Sequence, residues 1–262
     1  MKTFVFKISN FVKKLSRIAV KKNKVVPIHI KIETGLNRLG FPIDIAYDSI
    51  ESIAKLPRIR IEGIYTHFAS AYDRNLDFAK KQLKAFDSII KKTRKNGIYP
   101  IYVHAANSAA NVWFPKSQYN LVRFGLAMYG LQPSNKKNYP LPIKQCFTWK
   151  ARILQIKEIK RGENVGYGNS WHTPKKMKIA TIAVGYSDGF RRTPYNFEYV
   201  LCNGHKARII STVTMSQTMI DVSSIPNVSV DDEVVIIGKQ GSQIITFESV
   251  AVKTKTINEE VA

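Results

Sequence analysis

Cysteine is scarce in this chain, whose 262 residues include only Cys146 and Cys202. The two do not form a Cys-x-x-Cys pattern, so the sequence favours neither a disulfide framework nor a zinc site. Apolar runs are short as well, and none reaches the roughly 18 residues that a transmembrane helix needs. We therefore expect a protein of the reducing cytoplasm, without a bound metal and without a membrane span.

Acidic residues are also few. The chain has 41 Lys+Arg against 19 Asp+Glu, which gives a formal net charge of +22 and favours anionic partners: nucleic acid, anionic membranes or small anions. The lysines are dispersed in short runs such as Lys91-Lys92, and basic and aromatic residues do not cluster together. This dispersion argues against nucleic-acid binding. The hydrophobic fraction of 44% is enough for one large domain or two smaller ones.

Residues 1–24 contain eight Lys/Arg and no acid. We considered three interpretations: a basic amphipathic surface anchor, a transit-like targeting segment, and the outer helix of a barrel. The last is favoured, because a strand pattern follows at once. The helical spacing predicts that one face of this segment carries the apolar residues Phe4, Ile8, Phe11, Val12, Leu15, Ile18 and Ala19.

Strand and helix patterns alternate after residue 24, which is typical of a parallel sheet with crossover helices. A proline-rich stretch, 131–142, predicts a linker, and an all-β pattern follows it. The predicted strands of the first part are 25–33, 59–67, 101–105 and 120–124, with helices at 43–55 and 76–96. The predicted strands of the second part are 148–159, 179–186, 199–201, 206–213, 219–222 and 233–237.

Polar residues follow each predicted parallel strand. Parallel strands bring their carboxyl ends to one edge, so these side chains are expected to lie together as a site for an anionic ligand. Glycine there lets the main chain approach a phosphate. Taken singly, His67 fits a core histidine, Asn107 a helix N-cap and Arg38 a surface ion pair. The residues are Lys31 and Arg38, His67, Asn107 and Ser108, and Arg123 and Gly125.

Six motifs in order resemble the alanine racemases: IHIKIETGLNRLGF, EGIYTHFA, HAANSAA, VRFGLAMYGL, VGYG and GYSDG. The resemblance implies an α/β plus all-β protein: a segment 1–24, a partial (β/α)8 barrel of the TIM type over 25–142 that lacks its first strands, and a C-terminal β-domain over 143–262. It also implies interconversion of L- and D-alanine for cell-wall precursors, pyridoxal 5'-phosphate as the cofactor, and a homodimer with a shared site.

The resemblance also assigns roles to single residues. Ser108, with the backbone of Gly125 and Leu126, would hold the cofactor phosphate, and Arg123 would face the pyridine nitrogen. His67 and Asn107 would support this layer. The remaining implied roles are a contact of Arg38 with the cofactor's phenolic oxygen or the substrate carboxylate, carbamylation of Lys31, catalysis by Tyr167 from the second subunit, and substrate contacts of Met215 and Tyr186.

The sequence departs from the family pattern in three places. No stretch resembles VKANAYGHG, which in the family carries the Schiff-base lysine. Ser216 stands where the family usually has Asp, and Glu259 stands where a phosphate-binding tyrosine is usual, so that a carboxylate would repel a phosphate. We therefore expect a racemase lacking its first strands and impaired in activity. The alternative hypotheses are a non-catalytic remnant, completion by a separate polypeptide, and nucleic-acid binding.

Overall fold

The structure is a computed structural model that describes residues 2–133, 141–192 and 197–262, with the side chains of residues 2–9 left out. The side chains of the predicted positions Phe4 and Ile8 and most of the predicted linker 131–142 thus lie outside the described part. The chain divides into two compact units, Met1–Ile143 and Lys144–Ala262. Within the described residues, no helix is both long and apolar enough to cross a bilayer.

Unit 1 is an α/β structure around a parallel sheet in the order β2-β1-β3-β4. A six-residue helix, α4, follows β4, and helices α2 and α3 pack on each other. The elements are α1 (Lys2–Lys21), β1 (Val26–Glu33), β2 (Phe41–Pro42), α2 (Ile43–Ala54), β3 (Ile59–Tyr65), α3 (Asp77–Lys95), β4 (Tyr102–His104) and α4 (Ser108–Trp113).

The alternation of residues in β1 separates an apolar face from a polar one. Ile30 and Ile32 are buried in the core with Ile50 of α2 and Phe86 of α3. Val12 of α1 joins the same core. Helix α1 therefore packs as a helix of this unit.

The predicted strand 120–124 is wrong as a strand, because only Arg123 forms an isolated parallel bridge, with Asn107. The Asn120 side chain takes the place of a backbone ladder there. Its Oδ1 accepts from the Val103 N–H at 2.8 Å, and its Nδ2 donates to the Ile101 carbonyl at 2.6 Å. The other predicted strands and helices of unit 1 are present within a few residues of their expected bounds.

Unit 2 is a seven-stranded antiparallel sheet in the order β11-β10-β5-β6-β9-β8-β7, which closes because β10 also pairs with β7. The α/β plus all-β organisation is thus confirmed. Two C-terminal helices and strand β11 were not predicted. The predicted strand 179–186 extends too far, because β6 ends at Ile182 and Tyr186 lies beyond it. The elements are β5 (Trp149–Ile159), β6 (Met177–Ile182), β7 (Tyr199–Cys202), β8 (His205–Ile210), β9 (Thr218–Asp221), β10 (Glu233–Gln240), β11 (Gln243–Ile245), α5 (Phe247–Lys253) and α6 (Asn258–Val261).

Candidate active site

Arg123 lies at the carboxyl ends of β3 and β4, where four hydrogen bonds hold its guanidinium group. Nη1 donates to Nδ1 of His104 at 2.6 Å, and Nη2 donates to the Thr66 carbonyl at 2.8 Å. Nη2 also lies 3.1 Å from Nδ1 of His67 and 3.2 Å from the Ala105 carbonyl. The group is therefore fixed in one orientation before any ligand binds.

The contacts with Arg123 determine the protonation of both histidines. A guanidinium group only donates, so Nδ1 of His104 and of His67 must accept, and each neutral ring carries its proton on Nε2. Burial and the Arg123 charge lower the pKa of His67 and of His104 to about 4. Both rings are therefore neutral at pH 7.

A chain of polar side chains continues from His104 along the polar face of the sheet. Nε2 of His104 donates to Nδ1 of His29 at 2.8 Å. Nε2 of His29 in turn lies 3.6 Å from Oε2 of Glu62. The ring of His104 stacks on Tyr65 at 4.8 Å. A Cβ at Gly63 would lie 2.4 Å from Nδ1 of His29, so only glycine fits beside this ring.

Sequence reasoning did not assign a role to His29, Glu62, Tyr65 or His104. The available signal was the period of two in β1, which places His29 and Lys31 on one face. In β3 the same period separates Glu62 from Tyr65, and the register of the two strands shifts between Ile28 and His29. The pattern alone does not distinguish this face from a solvated one.

Ser108 and Gly125 lie together next to Arg123. The Gly125 N–H donates to Oγ of the buried Ser108 at 2.9 Å, and a Cβ at Gly125 would meet no atom within 4 Å. Asn107 is the N-cap of α4, where its Oδ1 accepts from the Ala110 N–H at 2.9 Å. Leu126 begins a short 3₁₀ turn.

Lys31 and Arg38 lie in different environments. The Lys31 ammonium donates to Oε2 of Glu33 at 3.3 Å and to the Leu39 carbonyl, and both charged side chains are largely buried. Burial by itself would raise the pKa of the Glu33 carboxyl. Hydrogen bonds from backbone N–H groups and the charge of Lys31 have the larger combined effect, so the pKa is lowered overall. Arg38 is exposed, and its charge helps to lower the pKa of His67.

In unit 2, the structure brings the loops of Tyr186 and Met215 together. The Tyr186 N–H donates to the Thr214 carbonyl at 3.0 Å, and the N–H and Oγ of Ser187 donate to the Met215 carbonyl at 2.9 and 2.6 Å. A Cβ at Gly185 would lie 2.3 Å from the Thr214 oxygen. This approach explains the glycine of the GYSDG motif.

Tyr167 lies in a 3₁₀ turn of unit 2 and is 70% exposed. It lines a cavity of about 610 Å³ together with Thr214, Gln217 and Met219, so it borders the loop that carries Met215. Ser216 and Glu259, the two departures from the family pattern, are both exposed. Unit 2 thus presents Tyr167, Tyr186 and Met215 on exposed loops.

The chain matches two family descriptions, "Alanine racemase, N-terminal domain" over residues 2–133 and "Alanine racemase, C-terminal domain" over residues 146–262. It is 41% identical over 247 residues to the alanine racemase of Halothermothrix orenii, covering 94% of this chain and 65% of the relative. The chain therefore spans about two thirds of the length of this curated relative.

Solved structures give the same result. The alanine racemase of Clostridium difficile 630 superposes with a TM-score of 0.90 at 31% identity, covering 97% of this chain and 66% of that one. The alanine racemase of Bartonella henselae with covalently bound pyridoxal phosphate superposes with a TM-score of 0.79 at 29% identity, covering 97% and 68%. By both sequence and structure, this chain belongs to the alanine racemase family.

Proposed function

We propose that unit 1 is part of a (β/α)8 barrel and carries the phosphate and pyridine side of a pyridoxal-phosphate site. The proposed activity is the cytoplasmic interconversion of L- and D-alanine for cell-wall precursors, and it requires a lysine-bearing segment in addition to this chain. The observation that carries the proposal is the fixed guanidinium of Arg123 beside the Ser108–Gly125 pair.

The residues present fit the cofactor. The space at Gly125 lies beside the buried Ser108 hydroxyl, so a phosphate there would accept from this hydroxyl and from the Leu126 N–H, and the Gly125 N–H would exchange its bond to Ser108 Oγ for one to the phosphate. Bound pyridoxal phosphate supplies an electron sink for the α-carbon of an amino acid. Arg123 would face the pyridine nitrogen of the bound cofactor and, although burial lowers its pKa, would keep its proton. It would therefore weaken the electron sink of the cofactor and favour return of a proton to the α-carbon.

Racemisation needs an acid/base group on each face of the α-carbon. Tyr167 Oη is proposed to hold the proton on one face, and Tyr186 and Met215 are proposed to contact the substrate from the loops that bring them together. Because Tyr167 is exposed within this chain, the proposal places it in the site of a second copy, in a homodimer. Arg38 is proposed to contact the substrate carboxylate or the cofactor's phenolic oxygen, and a carbamylated Lys31 is proposed to orient Arg38 through its carboxylate.

A non-catalytic remnant is the second candidate function. One observation favours it: the exposed Glu259 stands where the family usually has a phosphate-binding tyrosine. Under this alternative the chain binds pyridoxal phosphate, or its phosphate alone, without turnover.

Absorbance titration with pyridoxal phosphate, followed by borohydride trapping and mass mapping, tests the proposal. For the chain alone we expect reversible binding, no lysine labelled specifically, and no D-alanine formed from L-alanine. Arg123→Ala and Ser108→Ala should weaken binding, while Lys95→Ala, at the exposed end of α3, should not. Absence of binding would contradict the proposed site. A labelled lysine together with D-alanine formation would refute the remnant.

A further inference from the structure

A cavity of about 450 Å³ lies in unit 1 between helix α3 and the 3₁₀ turn of residues 115–117 that follows α4. Its volume is in the range of pockets that hold small organic molecules. None of the residues that line it belongs to the candidate active site around Arg123. It is therefore a separate feature of this unit, and its lining indicates what it could bind.

Four lysines line this cavity, and three of them come from one face of α3. Lys80, Lys84 and Lys91 lie within about 40° of arc at the 100° per residue of an α-helix. Lys116 joins them from the 3₁₀ turn, and all four residues are exposed. Of these four, only Lys80 forms an ion pair within the described ranges, with Asp77. Such a concentration of positive charge at a concave surface favours an anionic ligand.

The floor of the cavity is apolar. Leu83 and Phe114 line it, and they are only 9% and 6% exposed. Both belong to the core of unit 1, where the ring of Phe114 lies 5.7 Å from that of Phe68. The floor is thus held in place by packing, and it favours a ligand that has an apolar or flat body in addition to its charges.

The carboxylate of Asp87 adds an acceptor to the lysine-lined wall. The Tyr119 hydroxyl donates to Oδ1 of Asp87 at 2.5 Å and so fixes the carboxylate. Burial and the Asp87 carboxylate raise the pKa of Tyr119, which keeps the proton of this hydroxyl in place. An anionic group would be repelled by Asp87, so the part of a ligand beside it needs an N–H or O–H donor.

We propose that this cavity is a binding site for a nucleoside polyphosphate. The lysines hold the phosphate oxygens, the base lies on the apolar floor, and an amino group of the base or a ribose hydroxyl donates to Asp87. Lysine binds phosphate as a point charge on a flexible stem, which suits a chain of phosphates with several conformations. The site is independent of the pyridoxal-phosphate proposal, because the two share no residue.

Isothermal titration calorimetry of the full chain with magnesium-free ATP at 0.15 M salt tests the proposal. We expect one ATP per chain. Inorganic triphosphate should bind at least about fivefold more weakly, because it contacts neither the apolar floor nor Asp87 as a donor. Saturating pyridoxal phosphate should leave the ATP affinity unchanged. This arm distinguishes the cavity from the Ser108–Gly125 pair, which is a second place where a phosphate could bind.

Charge reversal in the cavity should weaken ATP binding. The double variant Lys84→Glu/Lys116→Glu is expected to lower the affinity by about tenfold or more, since two attractive charges become repulsive. Lys81→Glu is the matched control, because Lys81 is exposed on the same helix but does not line the cavity. Solvent screening should limit its effect to less than about threefold. Circular dichroism establishes folding, and Lys84→Gln/Lys116→Gln replaces the double variant if that variant does not fold.

Asp87→Asn separates recognition of the nucleoside from attraction of the phosphates. Asparagine has one side-chain oxygen, which Tyr119 can still occupy, and its amide can only donate to the ligand. Triphosphate should therefore bind more tightly to this variant, and the advantage of ATP over triphosphate should shrink by about threefold or more.

Four results would overturn the proposal: no saturable ATP binding, triphosphate as tight as ATP, competition between ATP and pyridoxal phosphate, or equal weakening by Lys81→Glu and the double variant. The same titration with a single-stranded oligonucleotide tests an extended basic surface instead of a cavity. Tighter binding of the oligonucleotide than of ATP would also contradict the nucleotide site.

Discussion

Arg123 depends on two neutral histidines, and this dependence is the main residue-scale feature of the site. His104 and His67 each offer Nδ1 as an acceptor, and a proton there would break the bond and place two positive charges in contact. Sequence reasoning found Arg123 and His67 because both follow strand patterns. It did not assign His104, since a buried acceptor and an ordinary core histidine look alike in a sequence.

The pH dependence of stability tests this arrangement. An unfolded histidine takes up a proton near pH 6.5, whereas folded His104 stays neutral down to about pH 4. The folded state binds fewer protons in this window, so the free energy of unfolding should fall as the pH drops from 6.5 to 4, by on the order of 1–3 kcal/mol for this residue. Urea denaturation at several pH values measures the slope.

His104→Asn keeps an oxygen acceptor near the position of Nδ1 but cannot titrate. It should reduce the slope between pH 6.5 and 4, with the remainder due to His67, whose pKa is lowered in the same direction. An unchanged slope in the variant would contradict the assignment of His104.

At the scale of elements, the spacing of apolar residues predicted strands and helices correctly wherever hydrophobic burial determines that spacing. Helix α3 ends at Lys95, just before Asn96-Gly97, and Gly97 has a φ of 80°, as the glycine there predicts. The expectation for 120–124 was wrong because the Asn120 side chain, rather than backbone, bonds to the β4 region. This replacement of a backbone ladder by a side chain depends on a partner that lies 17 residues away along the chain.

The helix-cap geometry of Asn107 gives an element-scale prediction. Asn107→Ala should lower the free energy of unfolding by about 1 kcal/mol, because the Ala110 N–H loses its acceptor. Asn107→Ser should retain most of this energy, since serine is also a good N-cap. Urea denaturation compares the two, and cofactor titration shows whether affinity follows the cap. Equal losses for both variants would mean that capping is not what Asn107 contributes.

At the scale of the whole molecule, the two units differ in how their sheets end. The sheet of unit 2 closes through β10 and β7, and its core includes buried residues on both of these strands. The sheet of unit 1 leaves most of one edge of β1 without a strand within the described residues. A closed sheet satisfies its backbone groups internally, whereas an open edge invites association.

We therefore expect residues 144–262 to fold when produced alone and to unfold in one cooperative transition. Residues 1–143 alone should associate through the open edge. Circular dichroism melting and size-exclusion chromatography measure both. An unfolded 144–262 fragment, or a monodisperse and stable 1–143 fragment, would contradict this difference between the units.

The sequence by itself determined the α/β plus all-β organisation, most of the strands and helices, and the family, because periodicity and ordered motifs are local signals. It also placed Ser108, Arg123 and Gly125 near one another through the rule that parallel strands share a carboxyl edge. The tertiary structure alone decided the His29–His104–Arg123 connection and the unpaired edge of β1. These depend on contacts between residues far apart in the chain, where side-chain geometry, burial and strand register act together.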